Sequence, residues 1–246
     1  MRPEIHIVAD TEELSRVAAA KFVRRAKDAV QAKGTFTVAL SGGSTPKSLY
    51  ILLADDAALR AVVPWDKVHF FWGDERHVPP DHPDSNYRME HEAMLSKVPV
   101  PPTNVHRIKS EHPEASQAAD EYDQLLREFF GLAAEQFPQF DLVLLGLGPD
   151  GHTASLFPGT AALHEQTRLV VANWVEKFNT DRITLTPPVL NNAACIIFLV
   201  GGEDKAETLQ AVLQGEKQLE RFPAQLISPT HGTLLWLVDR PGTRLL

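Results

Sequence analysis

Cysteine is nearly missing from this chain. Cys195 stands alone among 246 residues, so no internal disulfide can form, and a reducing compartment, the cytosol, is the expected setting. No apolar run approaches the ~18 residues that a membrane-spanning helix needs, so no membrane partner is expected. The opening MRPEIHIVADTEEL turns acidic and amphipathic at once, unlike a signal or transit peptide. A basic excess is missing too: 32 acidic residues face 24 Lys and Arg, for a net charge of −8. That balance argues against nucleic acid as a partner. It leaves room for a small anion, because a few local cations outweigh a distant acidic surface.

Several catalytic signatures are also lacking. There is no G-x-S-x-G nucleophile elbow, no H-E-x-x-H and no C-x-x-C, and His164 and His231 are too scattered to suggest a metal. Repeats, low-complexity tracts and obvious linkers are absent. The length suits one domain covering 1–246. The Pro-rich VPVPPTN (98–104) reads as a stiff loop or as the boundary of an insert.

What is present alternates between strand and helix. EIHIVA (4–9) reads as a strand. Asp10 with Glu13 reads as a capping box for a helix that stops near Gly34. FTVALSG, VHFFWGD, DLVLLGLG, CIIFLVGG and TLLWLVD are continuous apolar runs, the pattern of strands covered on both faces. TRLVVANWV (167–175) and RITLTPP are further strand candidates, and helical patterns fill 84–97, 114–130 and 203–214. Trp65, Trp72, Trp174 and Trp236 all sit in apolar context and read as core. The expected fold class is α/β: a Rossmann-like, doubly wound, mostly parallel sheet with helices on both faces.

In such sheets ligands bind beyond the C-terminal strand ends, and that is where the polar clusters fall. SGGSTPK, GDERH, GPDGHT and GGEDK each follow an apolar strand and should meet on one edge. In the first, Gly42 and Gly43 permit close approach of a ligand. Ser44 or Thr45 can cap a helix with Pro46 at its first position, leaving open amides that attract phosphate. It lacks P-loop spacing, and read alone it is equally a glycine-rich turn without a ligand. In GDERH, Glu75 and His77 read as parts of a solvated turn, while Asp74 and Arg76 either aim at the cleft or flank it.

Residues 146–151 spell G-x-G-x-x-G, the dinucleotide fingerprint. Yet Pro149 and Asp150 fill its variable positions, and Phe157-Pro158-Gly159 cuts the required helix short. The match reads as coincidence. Instead the loop offers His152 as a general base, with Asp150 beside it to fix its tautomer. Arg182 and Lys205 are surface charges or, if they face the cleft, partners for a phosphate dianion.

Together ALSGGSTPKSLY, FFWGDERHVPPDHPDSNYRM, DLVLLGLGPDGHTASLFPG, RITLTPPVLNNA and FLVGGEDKAETL, in this order across 39–209, closely resemble the 6-phosphogluconolactonase family. The resemblance implies a Rossmann-like sheet shared with glucosamine-6-phosphate deaminases. It also implies hydrolysis of 6-phosphoglucono-δ-lactone to 6-phosphogluconate, with no cofactor and no metal. It makes His152 the base, oriented by Asp150, with Arg76 near the substrate and Asp74 where the deaminase relatives carry a catalytic carboxylate. The Gly42–Thr45 loop, Arg182 and Lys205 would grip the phosphate, and Asn86 would shape the pocket. Two departures separate the chain from the deaminases: Leu156-Phe157-Pro158 replaces their Asn-Glu-Pro, and Arg76 replaces an aromatic residue. The partner implied is a small-molecule substrate, and the chain is expected to be a cytoplasmic monomer or weak dimer. A deaminase and a non-catalytic sugar-phosphate sensor are the alternatives.

Overall fold

A computed structural model describes residues 3–246. Its strands, in chain order, are β1 (Glu4–Val8), β2 (Phe36–Leu40), β3 (Val68–Trp72), β4 (Asp74–Arg76), β5 (Val105–His106), β6 (Leu142–Leu145), β7 (Val170–Val175), β8 (Thr180–Leu185), β9 (Cys195–Val200) and β10 (Thr233–Asp239). The helices are α1 (Thr11–Lys33), α2 (Ser44–Asp55), α3 (Ala57–Val62), α4 (Asn86–Ala93), α5 (Ala115–Phe130), α6 (Pro187–Asn191) and α7 (Ala206–Gln214).

Seven strands form one sheet in the order β1-β10-β9-β6-β2-β3-β5, with every neighbouring pair parallel. The apolar runs explain this centre. All residues of β2, β6 and β9 are buried, as a sheet covered on both faces demands. The edge strand β1 is different: Ile5 and Ile7 remain exposed. Winding reverses between β2, which leads outward to β3, and its neighbour β6, which leads to β9 on the other side. That reversal opens a crevice above the sheet.

Local chemistry sets the ends of α1. Asp10 accepts from the Glu13 amide at 2.8 Å, a cap worth about 1 kcal/mol. The reciprocal bond of the expected box lands one residue early, on the Ala9 amide at 2.6 Å. Gly34, at φ 84°, closes the helix.

Three expectations are corrected. VHFFWGD does not end in a loop: at Gly73 the chain leaves the large sheet, and β4 enters a second, antiparallel sheet in the order β4-β8-β7. A Cβ on Gly73 would lie 3.2 Å from the Leu40 carbonyl oxygen, so the crossing point leaves little room for a side chain. TRLVVANWV therefore contributes to the small sheet, where Trp174 faces outward, 49% exposed, and is not core. Finally, the stretch after VPVPPTN supplies β5, an edge strand of the large sheet only two residues long, too short to leave a periodic signal.

Candidate active site

The loops after β2, β6 and β9 meet β4 around a cavity of about 260 Å³ at the C-terminal edge of the large sheet. Ser41–Pro46 form one wall and Gly146–Pro149 with His152 the facing one. Asp74, Arg76, Asn86 and Lys205 close the rest. The four clusters expected to converge do so.

The anion-facing wall is the start of α2. The helix begins at Ser44, two residues before the expected Pro46, with Gly43 at its N-cap (φ 107°) and no side chain capping it. The Ser44 and Thr45 hydroxyls therefore do not cap, and the first-turn amides stay open towards the cavity. Tyr50, from inside α2, staples the preceding turn by donating to the Ser41 carbonyl at 2.9 Å and accepting from the Ser41 amide at 3.0 Å. Burial pushes its hydroxyl well above the usual phenol range, so it remains a neutral donor. Nothing in the sequence pattern singled out Tyr50.

Asp74 and Arg76, two apart on β4, both line the cavity, while Glu75 points the other way. Asp74 is buried and accepts from Ser155 Oγ at 2.6 Å. Arg76 is held by a bond from Nη1 to the Asp84 carbonyl at 2.7 Å. Asn86 donates to the Asp74 carbonyl at 3.0 Å, and its side chain occupies the space a Cβ on Gly42 would need. Glu75 is not part of a solvated turn. It is 1% exposed and accepts from the amides of Arg76, Asn86 and Tyr87 at 2.7–2.8 Å, fastening the start of α4 under the cavity. Burial raises its pKa, and the three amides counter part of that rise.

The G-x-G-x-x-G stretch builds a platform for a histidine. The Gly148 amide donates to the His152 carbonyl at 2.8 Å, and Thr153 Oγ1 donates to the Gly146 carbonyl at 2.9 Å. Gly151 turns the chain at φ 80° with Phe222 packed against it. His152 Nδ1 is bonded to Asp150 Oδ1. A carboxylate only accepts, so Nδ1 carries a hydrogen, and in the neutral ring Nε2 is the basic nitrogen. Phe157 stacks on the imidazole at 4.1 Å. Burial raises the Asp150 carboxyl, but bonds from His152 and Lys177 outweigh it and hold the group well below the usual carboxylate range. Of Asp74, Glu75 and Asp150, Asp150 is the one bonded to the imidazole.

The expected cations divide. Lys205 lines the cavity, with Nζ 2.9 Å from Asp204. Arg182 does not line it. It pairs with Arg76 across the β4–β8 ladder, and its guanidinium lies 5.2 Å from the Phe178 ring, with Nε buried and, among the described residues, unpartnered. Burial, and then Arg76 beside it, lower its pKa. Among the described residues, no cluster of three or more His, Cys, Asp or Glu is placed to hold a metal.

An open helix N-terminus, two cations and a carboxylate-held histidine around one crevice define an α/β protein equipped to act on a small anionic molecule. The chain belongs to the family described as glucosamine-6-phosphate isomerases/6-phosphogluconolactonase, which it matches over residues 9–236. It is 42% identical to 6-phosphogluconolactonase of Synechocystis sp. over 240 residues, covering 98% of this chain and 97% of that one. It is 38% identical to 6-phosphogluconolactonase of Rattus norvegicus over 248 residues, covering 98% and 93%. Among solved structures, 6-phosphogluconolactonase from Trypanosoma brucei superposes with a TM-score of 0.88 at 30% identity, covering 100% of this chain and 99% of that one.

Proposed function

We propose that the protein hydrolyses 6-phosphoglucono-δ-lactone to 6-phosphogluconate, with His152 as the general base. One observation carries the reading: His152, held by Asp150 through Nδ1, lies across a single cavity from the open first turn of α2 and from Lys205. A base and an anion site so placed suit a substrate with a reactive carbonyl at one end and a phosphate at the other. The full-length similarity to 6-phosphogluconolactonases supports the choice of substrate.

The chemistry follows from the geometry. His152 Nε2 takes a proton from water as its oxygen attacks the lactone carbonyl carbon. Negative charge then develops on the carbonyl oxygen, and Arg76 or backbone amides stabilise it. The C–O bond to the ring oxygen breaks, and the imidazolium returns its proton to that oxygen, which becomes a hydroxyl. A δ-lactone is already an activated ester, so no covalent intermediate and no cofactor is needed. Positioning supplies much of the rate.

The α2 amides and Lys205 hold the phosphate, and Arg182, beside Arg76 on the small sheet, adds positive field to the site. Asn86 and Asp74 shape the floor. Residues 1–246 act as one catalytic unit, a cytoplasmic monomer. Among the described residues no helix is long and apolar enough to cross a membrane. Phe157, on the imidazole face where the deaminase branch carries a carboxylate, favours lactone hydrolysis over amine loss.

The test is hydrolysis of freshly generated 6-phosphoglucono-δ-lactone, measured against its spontaneous opening. Marked acceleration is expected. A rate equal to background from folded protein overturns the reading.

A further inference from the structure

Asp150 has two carboxylate oxygens, and each is engaged by a different part of the chain. Oδ1 holds His152 Nδ1, while Oδ2 lies 3.2 Å from Lys177 Nζ. Lys177 belongs to the tip of the β7–β8 hairpin, a 3-10 turn over Glu176–Phe178 closed by Asn179 in the left-handed region (φ 48°). The small antiparallel sheet thus reaches across to the histidine loop.

The same tip also contacts the ring that stacks on the imidazole. Phe178 stands edge-on to Phe157 at 5.7 Å, and Phe157 stacks on His152. Arg182 packs behind Phe178, so the tip is held in place by the strand that follows it. His152 and Asp150 keep only 24% and 26% of their side-chain surface, so a charge on the second oxygen is partly shielded from water.

We propose that Lys177 is a positioning residue for the His152 base: its ammonium locks the rotation of the Asp150 carboxylate and offsets part of its charge, keeping the imidazole neutral and correctly turned. The proposal rests on the reading of His152 as the base. With Lys177 absent, Asp150 has one partner and can swivel, and its whole charge favours the imidazolium, which is useless for taking a proton. Asp150 itself stays ionised throughout the working range, because bonds from His152 and Lys177 hold its pKa well down against burial. Lys177 therefore acts through charge and orientation and not by switching the carboxylate.

Other charged groups bear on the same imidazole. Asp74 and Arg76 from β4, and Lys205 after β9, line its cavity. Glu176 and Asp181 share the adjoining cavity with Asp150 and Lys177. None of these bonds to Asp150, so Lys177 is the cation whose removal most changes its field.

The experiment is the pH profile of kcat/KM between pH 5 and 7.5 for the wild type, Lys177→Met, Lys177→Arg and Lys177→Glu, with Lys217→Met as an exposed control. The acid limb should move up by about half a pH unit in Lys177→Met and further in Lys177→Glu. It should return in Lys177→Arg and stay put in the control. At pH 6 the loss should be about 3-fold larger than at the plateau. A lysine that only braced the hairpin would lower activity equally at every pH. An acid limb unmoved in Lys177→Met, with His152→Ala inactive, overturns the role of Lys177 alone. Substantial turnover by His152→Ala overturns the base assignment, and this proposal with it. Should Lys177→Met be too slow to profile, NMR titration of the His152 imidazole reads the same displacement.

Discussion

Gly148 and His152 are packed so closely that a Cβ at position 148 would lie 2.0 Å from the imidazole Nδ1. No atom pair tolerates that approach, and Nδ1 is the nitrogen committed to Asp150. The glycine that resembles part of a dinucleotide fingerprint is therefore there to admit the histidine ring. Its φ is an ordinary one, so an alanine strains no backbone and acts only through the ring it displaces.

Gly148→Ala should thus keep the fold and lose the base. General base catalysis contributes about 10²- to 10⁴-fold, and kcat should fall by that order while the melting temperature changes little. The two measurements together decide it. Near-normal turnover in a folded variant would mean that His152 works from another rotamer, free of its bond to Asp150.

Asp150→Asn offers a complementary probe, because the carboxamide preserves size and removes charge. Its NH₂ can donate to Nδ1, pushing the imidazole hydrogen onto Nε2, where the proton must be received. A fall in kcat of about 10²-fold or more is expected, with KM little altered, since the phosphate wall is untouched. A change confined to KM would place Asp150 in substrate binding instead.

Much of this arrangement was legible in the residues, and the unread parts have physical reasons. The central strands announced themselves because β2, β6 and β9 are apolar on both faces, and the loops beyond them had to converge once the sheet was parallel. His152 and Asp150 stood out as chemistry beside a strand end. Glu75 did not: a carboxylate between Asp74 and Arg76 looks solvated, and only the turn of the chain at Gly73 buries it against the α4 amides. Lys177 lies 27 residues from Asp150, on a hairpin whose sheet was not anticipated, so no spacing rule could join them. Arg182 was placed in the phosphate grip as a cation in a recognisable motif. Its guanidinium packs on the Phe178 ring of the hairpin tip and is not among the residues lining the cavity.

Lys205 separates phosphate binding from the chemical step. A charge-assisted hydrogen bond to a ligand is worth about 1.5–3 kcal/mol, so Lys205→Met should raise KM for the phosphorylated lactone about 10- to 100-fold. kcat should stay near the wild-type value, and competition by inorganic phosphate should weaken in parallel. An unchanged KM would show that the anion is held elsewhere, by the α2 amides and Arg76 without the lysine.

Glu90 carries the clearest pH signature in the fold. It lies on α4 with no exposed surface, and among the described residues neither carboxyl oxygen has a hydrogen-bond partner; Trp72 Nε1, likewise without one, is its neighbouring donor without reaching bonding geometry. Burial first, and then the charges of Glu75 and Asp74, push its pKa well above the ordinary 4.5. The sign follows from linkage. In the unfolded chain Glu90 ionises near 4.5, while in the folded chain it keeps its proton to higher pH. The neutral acid's contribution is complete below 4.5 and is lost as pH rises towards the folded value, by up to about 1.4 kcal/mol per pH unit. Glu90→Gln cannot ionise and escapes this loss. Its amide hydrogens lack partners in the same pocket, so at pH 4.5 the variant should be no more stable than the wild type. As the pH rises from about 5 towards 8, its melting temperature should gain on that of the wild type until the folded wild-type carboxyl ionises. A difference that stays flat across that range would mean that Glu90 ionises normally, with water reaching it beneath the cavity.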